Sequence, residues 1–132
     1  MQFRNPAGVH APVAAYSHQV DVTAGARWLV LSGQIGLRPD GVLPADPVDQ
    51  IEGALDNLRR NLEAAGMAIG DVVKLTIYLV GDVDADRRRL AFDAVFGEHR
   101  PCMTLLYVSA LASPALKVEI DAWAARETPV AS

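Results

Sequence analysis

Glu98-His-Arg-Pro-Cys-Met-Thr-Leu-Leu-Tyr-Val-Ser-Ala-Leu-Ala-Ser-Pro-Ala-Leu-Lys-Val-Glu-Ile-Asp-Ala-Trp-Ala-Ala125 is the stretch from which the fold is read. It holds two strand candidates, Met103–Ser109 and Leu116–Ala124. In the second, Leu116, Val118, Ile120, Ala122 and Ala124 alternate with Lys117, Glu119, Asp121 and Trp123. Period-two alternation is the pattern of a half-buried strand, apolar on one face and polar on the other. The link Ala110–Ala115 contains Pro114, which has no N–H for a ladder, so it reads as a turn and the two strands as a closing hairpin. On that reading Glu119 and Lys117 lie on the face of Trp123, beside a neighbour that begins at Met103. An acid presented from a strand next to an aromatic ring is a candidate site.

Working back from there, Val72–Val80 is apolar on both faces, as in a central strand. Val73, Leu75, Ile77 and Leu79 are expected on one side, and Val72, Lys74, Thr76, Tyr78 and Val80 on the other. Between these strands a helix is predicted from about Val83 to Phe96, capped by Asp82 or Asp84 and ended by Gly97. An earlier helix starts with Asp46 as N-cap and Pro47 at its first position. Val48, Ile51, Leu55, Leu58, Leu62 and Ala65 then recur at helical spacing, and Gly66 supplies the left-handed residue that stops it. Tyr16–Val22 and Arg27–Ser32 read as strands joined by a turn at Thr23–Ala26, with Gly33 as a break or bulge. Residues 1–15 have no period and read as a leader over the surface, and 126–132 as a tail.

The order strand, strand, helix, strand, helix, strand, strand implies one α+β domain over residues 1–132, a mixed sheet with both helices on one face. The other face would expose a broad semi-apolar surface, more than a monomer usually tolerates, and self-association in a closed ring is the economical cover. At 132 residues, 51% hydrophobic and 21% charged, the chain can build a substantial core. A net charge of −4 and a pI near 5.2 do not recommend nucleic acid or an anionic membrane as partner. Arg87-Arg88-Arg89 sits among Asp82, Asp84 and Asp86 and reads as a solvated, locally paired helix face. No apolar run is long enough to span a bilayer and no secretory start is evident, so a cytoplasmic protein is expected. Cys102 is the single cysteine, which excludes an internal disulfide; with no activating neighbour in sequence it reads as a small buried hydrophobe. His10, His18 and His99 are scattered and suggest no metal site. No cofactor is expected.

Arg100-Pro-Cys-Met-Thr104 followed by Ala110-Leu-Ala-Ser-Pro and Leu116-Lys-Val-Glu-Ile-Asp-Ala122 resembles the closing segment of the RidA/YjgF reactive-intermediate deaminase family. That family's usual form is Arg-Pro-Ala-Arg-Thr, Leu-Ala-x-Pro, then Val-Glu-Ile-Glu-Ala. Pro12-Val-Ala-Ala-Tyr-Ser-His-Gln19 and Leu31-Ser-Gly-Gln-Ile35 are similar to its early motifs, so the resemblance runs from about Ala11 to Ala125. It implies a chorismate mutase-like (YjgF) fold and a homotrimer whose sheets form a central barrel, with small-molecule clefts between subunits. In such clefts enamines and imines derived from amino acids are hydrolysed to a keto acid and ammonia.

By motif, Tyr16 corresponds to the family's pocket tyrosine, Ser32-Gly33 to the segment beside the substrate, and Glu119 to the glutamate that handles water or proton traffic. The substrate-anchoring arginine has no counterpart; Met103 stands in its place. A guanidinium grips a carboxylate through two charge-assisted bonds, and a thioether cannot. The resemblance therefore implies a preference shifted away from amino-acid imines. Met103 with Tyr16 and Trp123 would make a more apolar pocket for a larger or uncharged substrate, with Thr104 at its rim.

Each of these residues also has a plainer reading. Tyr16 could pack over a subunit edge, Glu119 could pair with Lys117, Ser32-Gly33 could be only a bulge, and Thr104 only a strand former. Three functions compete: a deaminase-like hydrolase, a non-catalytic metabolite binder, and a ribonuclease or translation inhibitor. The acidic pI and the absence of a basic stripe or of paired catalytic histidines weigh against the last.

Overall fold

The computed structural model describes residues 1–127 of the chain. Its elements are β1 (Gln2–Arg4), β2 (Gln19–Asp21), β3 (Arg27–Gln34), α1 (Pro47–Ala64), β4 (Val72–Leu79), α2 (Ala85–Phe96), β5 (Cys102–Tyr107) and β6 (Val118–Arg126), with a single 3₁₀ turn at Ile69–Asp71 before β4.

α1 forms for the reasons its sequence predicts. Asp46 is the N-cap, its carboxylate accepting from the Asp49 N–H at 3.0 Å, and Pro47 occupies the first turn, where a missing N–H costs nothing. The helix ends with Gly66 at φ 72°, while the N–H groups of Gly66 and Met67 reach back to the carbonyls of Glu63 and Leu62. That pair of bonds satisfies carbonyls the helix would leave open, and it needs a left-handed residue at position 66. Ile51, Leu55, Leu58 and Leu62 are fully buried and pack on the sheet. α2 is capped by Asp84, which accepts from the Arg87 N–H, and it stops at Gly97.

The principal sheet has the order β3-β6-β4-β5. β6 runs antiparallel to both β3 and β4, while β4 and β5 are parallel. A parallel pair cannot be joined by a tight turn, and α2 is the crossover that joins this one. This topology corrects the closing hairpin. β5 and β6 are not neighbours, because β4 lies between them. The proline-containing turn exists, with the Leu116 N–H on the Ser113 carbonyl, but the segment carrying it passes the end of β4 rather than folding one strand onto the other. Met103 is therefore paired beside Leu75 and is two strands from β6.

Further corrections concern the chain's ends and the start of β4. The leader contributes β1, which pairs with β2 in a small separate sheet, so β2 and β3 do not form a hairpin with each other. Arg126 belongs to β6 rather than to a tail, and its guanidinium meets the Asp71 carboxylate at 2.5 Å; the rest of the predicted tail, 128–132, lies outside the described residues. A register shift between Val72 and Lys74 puts Val72 into the main core cluster and Val73, also buried, on the other side beside Trp28 and Trp123, the reverse of the expected faces. A bulge adds one residue to the strand, and everything before it changes side.

Both helices cover the face carrying Leu75, Ile77, Leu79, Val118, Ile120 and Ala122, all fully buried. The opposite face is open, and Trp28, Val30 and Trp123 on it are about half exposed.

Gln50, wholly buried on α1, fastens the start of β6 to the helix layer. Its Nε2 donates to the carbonyls of Pro44 (2.8 Å) and Ala115 (3.0 Å), and its Oε1 accepts from the Lys117 N–H at 2.8 Å. Gln50→Ala leaves these three part-buried backbone groups without their partner and opens a void. At roughly 1–3 kcal/mol per unsatisfied group, partly relieved by entering water, a loss of about 3 kcal/mol in urea unfolding is expected. A loss below about 1 kcal/mol would mean the entry to β6 is fixed by other contacts.

Candidate functional site

The open face of the sheet gathers most of the polar candidates. Glu119 stands cross-strand from Tyr78, Asp121 from Thr76, and Trp123 from Lys74. Alternation along β6 makes this unavoidable: with Val118, Ile120 and Ala122 held in the core, Glu119, Asp121 and Trp123 must face the other way. On the far side of β6, the register of β3 shifts between Leu31 and Gln34, which places the predicted bulge at Ser32-Gly33.

Gly33 has a direct reason to be glycine. A Cβ there would lie 2.6 Å from Cδ of Glu119 and 2.8 Å from its Oε2. The carboxylate rests in the space that a side chain would fill. Glu119 makes no ion pair and no side-chain hydrogen bond among the described residues, and Lys117 turns instead to the Pro114 carbonyl at 3.3 Å. The plainer reading, a Lys117–Glu119 pair, is therefore not what the side chains do.

Of the residues around Glu119 on this face, the sequence points to Thr104 and Trp123 but not to Tyr78, Asp121 or Lys74 as site residues. Tyr78 donates its hydroxyl to Asp121 Oδ2 at 3.3 Å. The negative charge of Asp121, the burial of the ring, that hydrogen bond and the nearby charge of Glu119 all hold the Tyr78 phenol above its ordinary pKa. It is thus a proton donor at neutral pH. Lys74 donates to Thr104 Oγ1 at 2.7 Å, so Thr104 is exposed on the same face and engaged by a cation. Trp123 meets Trp28 edge to face, with ring centroids 6.0 Å apart. Burial raises the Cys102 thiol, and the Lys74 charge offsets this only partly. A reactive thiolate is disfavoured, but Cys102 is half-buried rather than the buried hydrophobe expected, because it pairs beside Lys74 and so lies on the open face.

Met103 lies on the other face. It pairs with Leu75, whose side chain is in the core, and it packs against the core cluster under α2. With Val13–Ala15 of the leader, Ile77, Leu105 and Phe92 it lines a hollow of about 460 Å³, rimmed by Arg88, Arg89, Asp93 and Arg100. The leader is tied down here by Ser17, buried, whose N–H and hydroxyl bond the carbonyls of Pro101 (3.2 Å) and Arg100 (2.5 Å). Tyr16, between Ala15 and Ser17, is half-buried; its hydroxyl accepts from the Val13 N–H at 3.3 Å, and its ring packs edge-on against His18.

The candidates therefore fall into two groups on opposite faces. Glu119, Ser32, Gly33, Thr104 and Trp123 belong to the open face, whereas Met103 borders the leader that carries Tyr16. A single chain does not bring Met103 and Trp123 into one apolar pocket, because positions 103 and 123 pair with successive residues of β4, Leu75 and Lys74, which point to opposite sides. The arginine run also needs correcting. Arg87 pairs with Asp46 of the α1 cap (3.0 Å) and Arg89 with Asp86, while among the described residues the Arg88 guanidinium reaches only the hydroxyl of Tyr107, at 3.4 Å. A larger hollow of about 510 Å³ between α1 and α2 holds none of the predicted site residues.

His10 and His18, apart in sequence, pack edge to face at 4.8 Å, and each ring has one nitrogen on a backbone carbonyl. His99 is separate, its Nε2 on the Val72 carbonyl at 2.8 Å. Among the described residues no cluster of three or more potential ligands could hold a metal ion, and no helix is long and apolar enough to cross a membrane.

Comparison with known proteins completes the description. A family profile described as Endoribonuclease L-PSP matches residues 8–126. The 2-iminobutanoate/2-iminopropanoate deaminase of Escherichia coli is 33% identical over 120 residues, covering 88% of this chain and 91% of that protein. A solved structure of a Rid-family protein, YyfB, from Yersinia pestis superposes with a TM-score of 0.81 at 30% identity, over 93% of this chain and 96% of that one. Escherichia coli TdcF with bound serine gives a TM-score of 0.70 at 31% identity, over 88% and 91%.

Proposed function

This chain belongs to the RidA/YjgF family, and from that premise we propose that it is a homotrimer hydrolysing an imine or enamine of a small metabolite in clefts between subunits. The observation that carries the reading is the uncommitted Glu119 carboxylate, set against Gly33 on an open sheet face. An imine carbon needs a water molecule delivered with its proton partly removed, and a departing nitrogen needs a proton returned. One carboxylate can do both in turn. Water adds to C=N to give a carbinolamine, with its proton passing through Glu119. That first proton reaches the nitrogen, and the carbinolamine hydroxyl proton follows through the same carboxylate as the C–N bond breaks and C=O forms, so imine and water become a carbonyl compound and ammonia. Tyr78, held protonated beside Asp121, lies on the same face with its hydroxyl donated to that carboxylate.

Trimerisation accounts for the division of the candidates. The Glu119 face of one subunit, set against the Met103 hollow and Tyr16 loop of the next, would complete a cleft that a lone chain only half builds. It would also cover Trp28, Val30 and Trp123. Burying the exposed half of one tryptophan, on the order of 100 Å², is worth roughly 2–3 kcal/mol. Met103 in place of the anchoring arginine supports a substrate preference shifted from small α-imino acids.

Met103 also favours a second reading, a metabolite binder without turnover. A nuclease reading follows from the profile's name and from the adjacent His10 and His18, but a net charge of −4 gives it no electrostatic support. The test is ammonia release across a panel of freshly generated imines, with and without an α-carboxylate, alongside light scattering. Turnover of at least one imine by a particle of three chains is expected. A monomer at micromolar concentration removes the cleft. A trimer that binds but turns over none of the panel favours the binder.

A further inference from the structure

The hollow over Met103 has a composition that the loss of a strand arginine does not explain. Its floor is apolar, made by Met103, Leu105, Ile77 and Phe92, but its rim carries three guanidinium groups against one carboxylate, Asp93. Among the described residues neither Arg88 nor Arg100 has an acidic partner. Arg88 is half-buried one turn before Phe92, on the face α2 turns toward the sheet, and among the described residues its guanidinium makes only the long hydrogen bond to Tyr107. Arg100 has the structural job of closing α2, with Nη1 on the carbonyls of Gly97 (2.5 Å) and His99 (3.2 Å), but its remaining N–H groups stay available. Arg89 is already paired with Asp86 and is the least available of the three.

We propose that Arg88, assisted by Arg100, is an anion anchor at the rim of this hollow, and that its ligand is an amphiphilic carboxylate whose apolar body lies on Met103, Leu105, Ile77 and Phe92. The inference rests on the reading of this hollow as half of the reactive cleft, and it names the substrate class. A carboxylate held from α2 rather than from the Met103 position of β5 is held farther from the strand. The apolar floor between then accommodates a chain or ring separating the acid from the reacting C=N carbon. An α-imino acid has no such spacer.

The experiment titrates the full-length protein with hexanoate, phenylacetate and acetate, and with hexanamide and phenylacetamide, by calorimetry. Both apolar carboxylates are expected to bind at least tenfold tighter than their amides and than acetate, and to weaken as salt is raised. Arg88→Gln should remove about tenfold of the carboxylate affinity while leaving amide binding unchanged, and Arg88→Lys should restore most of it. The proposal is overturned if acid and amide bind alike, if acetate binds as well as hexanoate, or if Arg88→Gln combined with Arg100→Gln keeps wild-type affinity in an intact assembly. Its failure is separable from that of the hydrolase reading. Carboxylate binding without ammonia release from any imine sustains the anchor and sinks the hydrolase, whereas imine turnover indifferent to a distal carboxylate and to Arg88→Gln does the reverse.

Discussion

Glu119→Gln is expected to leave the fold and the assembly intact and to lower the rate of imine hydrolysis by a hundredfold or more. The size follows from what a positioned acid–base group contributes, about 10²–10⁴ in rate. Glutamine keeps the length and shape of the side chain, so the seat against Gly33 is preserved and only the ability to take and return a proton is lost. The stability side rests on β6 alternation: Val118 and Ile120 carry the core contacts on either side, and Glu119 has no ion pair among the described residues to lose. A surface change of this kind is usually within about 0.5 kcal/mol. Loss of the Glu119 charge should also move the Tyr78 phenol downward, since that charge is one of the factors holding it up, behind Asp121 and burial. Activity is read as ammonia release, the phenol by absorbance on alkaline titration, and assembly by light scattering. A Gln variant with full activity and an intact trimer would remove Glu119 from the chemistry and leave Tyr78 and Asp121 as the groups to test.

How much of this was legible in the chain depended on whether a signal was local. α1 was readable end to end because Asp46, Pro47 and Gly66 act within one turn of themselves. The polar face of β6 and the bulge at Gly33 were readable because alternation and its interruption are local too. The neighbour of β6 was not. Chain adjacency and a proline turn favour a hairpin, but β4–α2–β5 forms a parallel unit and β6 takes the place between β3 and β4. β1 was missed because three residues, paired only with a distant β2, carry no period. The division of the site followed from the same topological error, since the face of Met103 is set by its partner Leu75. For the rim of the hollow a signal did exist. Arg88 stands four residues before Phe92 and eight before Phe96, on the inward stripe of α2, whereas Arg87 and Arg89 flank that stripe. Successive helix residues point about 100° apart, so three adjacent arginines cannot share one face.

Met103→Arg is expected to raise kcat/KM for 2-iminopropanoate and its enamine by ten- to a hundredfold over a poor wild type. A hydrogen bond to a charged group contributes roughly 1.5–3 kcal/mol, and each ~1.4 kcal/mol is a factor of ten. The new side chain starts from a half-buried position on the wall of a hollow whose lining also includes the exposed Arg89 and Asp93, so the guanidinium has solvent-facing groups to reach. Two effects oppose the gain. The thioether packs against the core cluster under α2, and replacing it with a charged group that failed to reach the hollow would cost several kcal/mol in the strand. Arg88 and Arg100 also border the same space, and a third uncompensated cation there is repelled by each of them by about 2 kcal/mol at a separation near 8 Å and an effective dielectric near 20. A bound carboxylate relieves that repulsion, so the variant should gain more in substrate binding than in stability, and its melting temperature should rise on adding a small α-keto acid. The measurement is keto-acid production from freshly generated substrate, with light scattering on the same sample. A wild type as active as its 33%-identical deaminase relative would show that Arg88 or Arg100 already anchors the α-carboxylate, which would also bring the amphiphilic ligand class into conflict with the facts. An intact but inactive Met103→Arg trimer would show instead that the cleft is shaped for a ligand whose acid and reacting carbon lie too far apart for the restored arginine to serve.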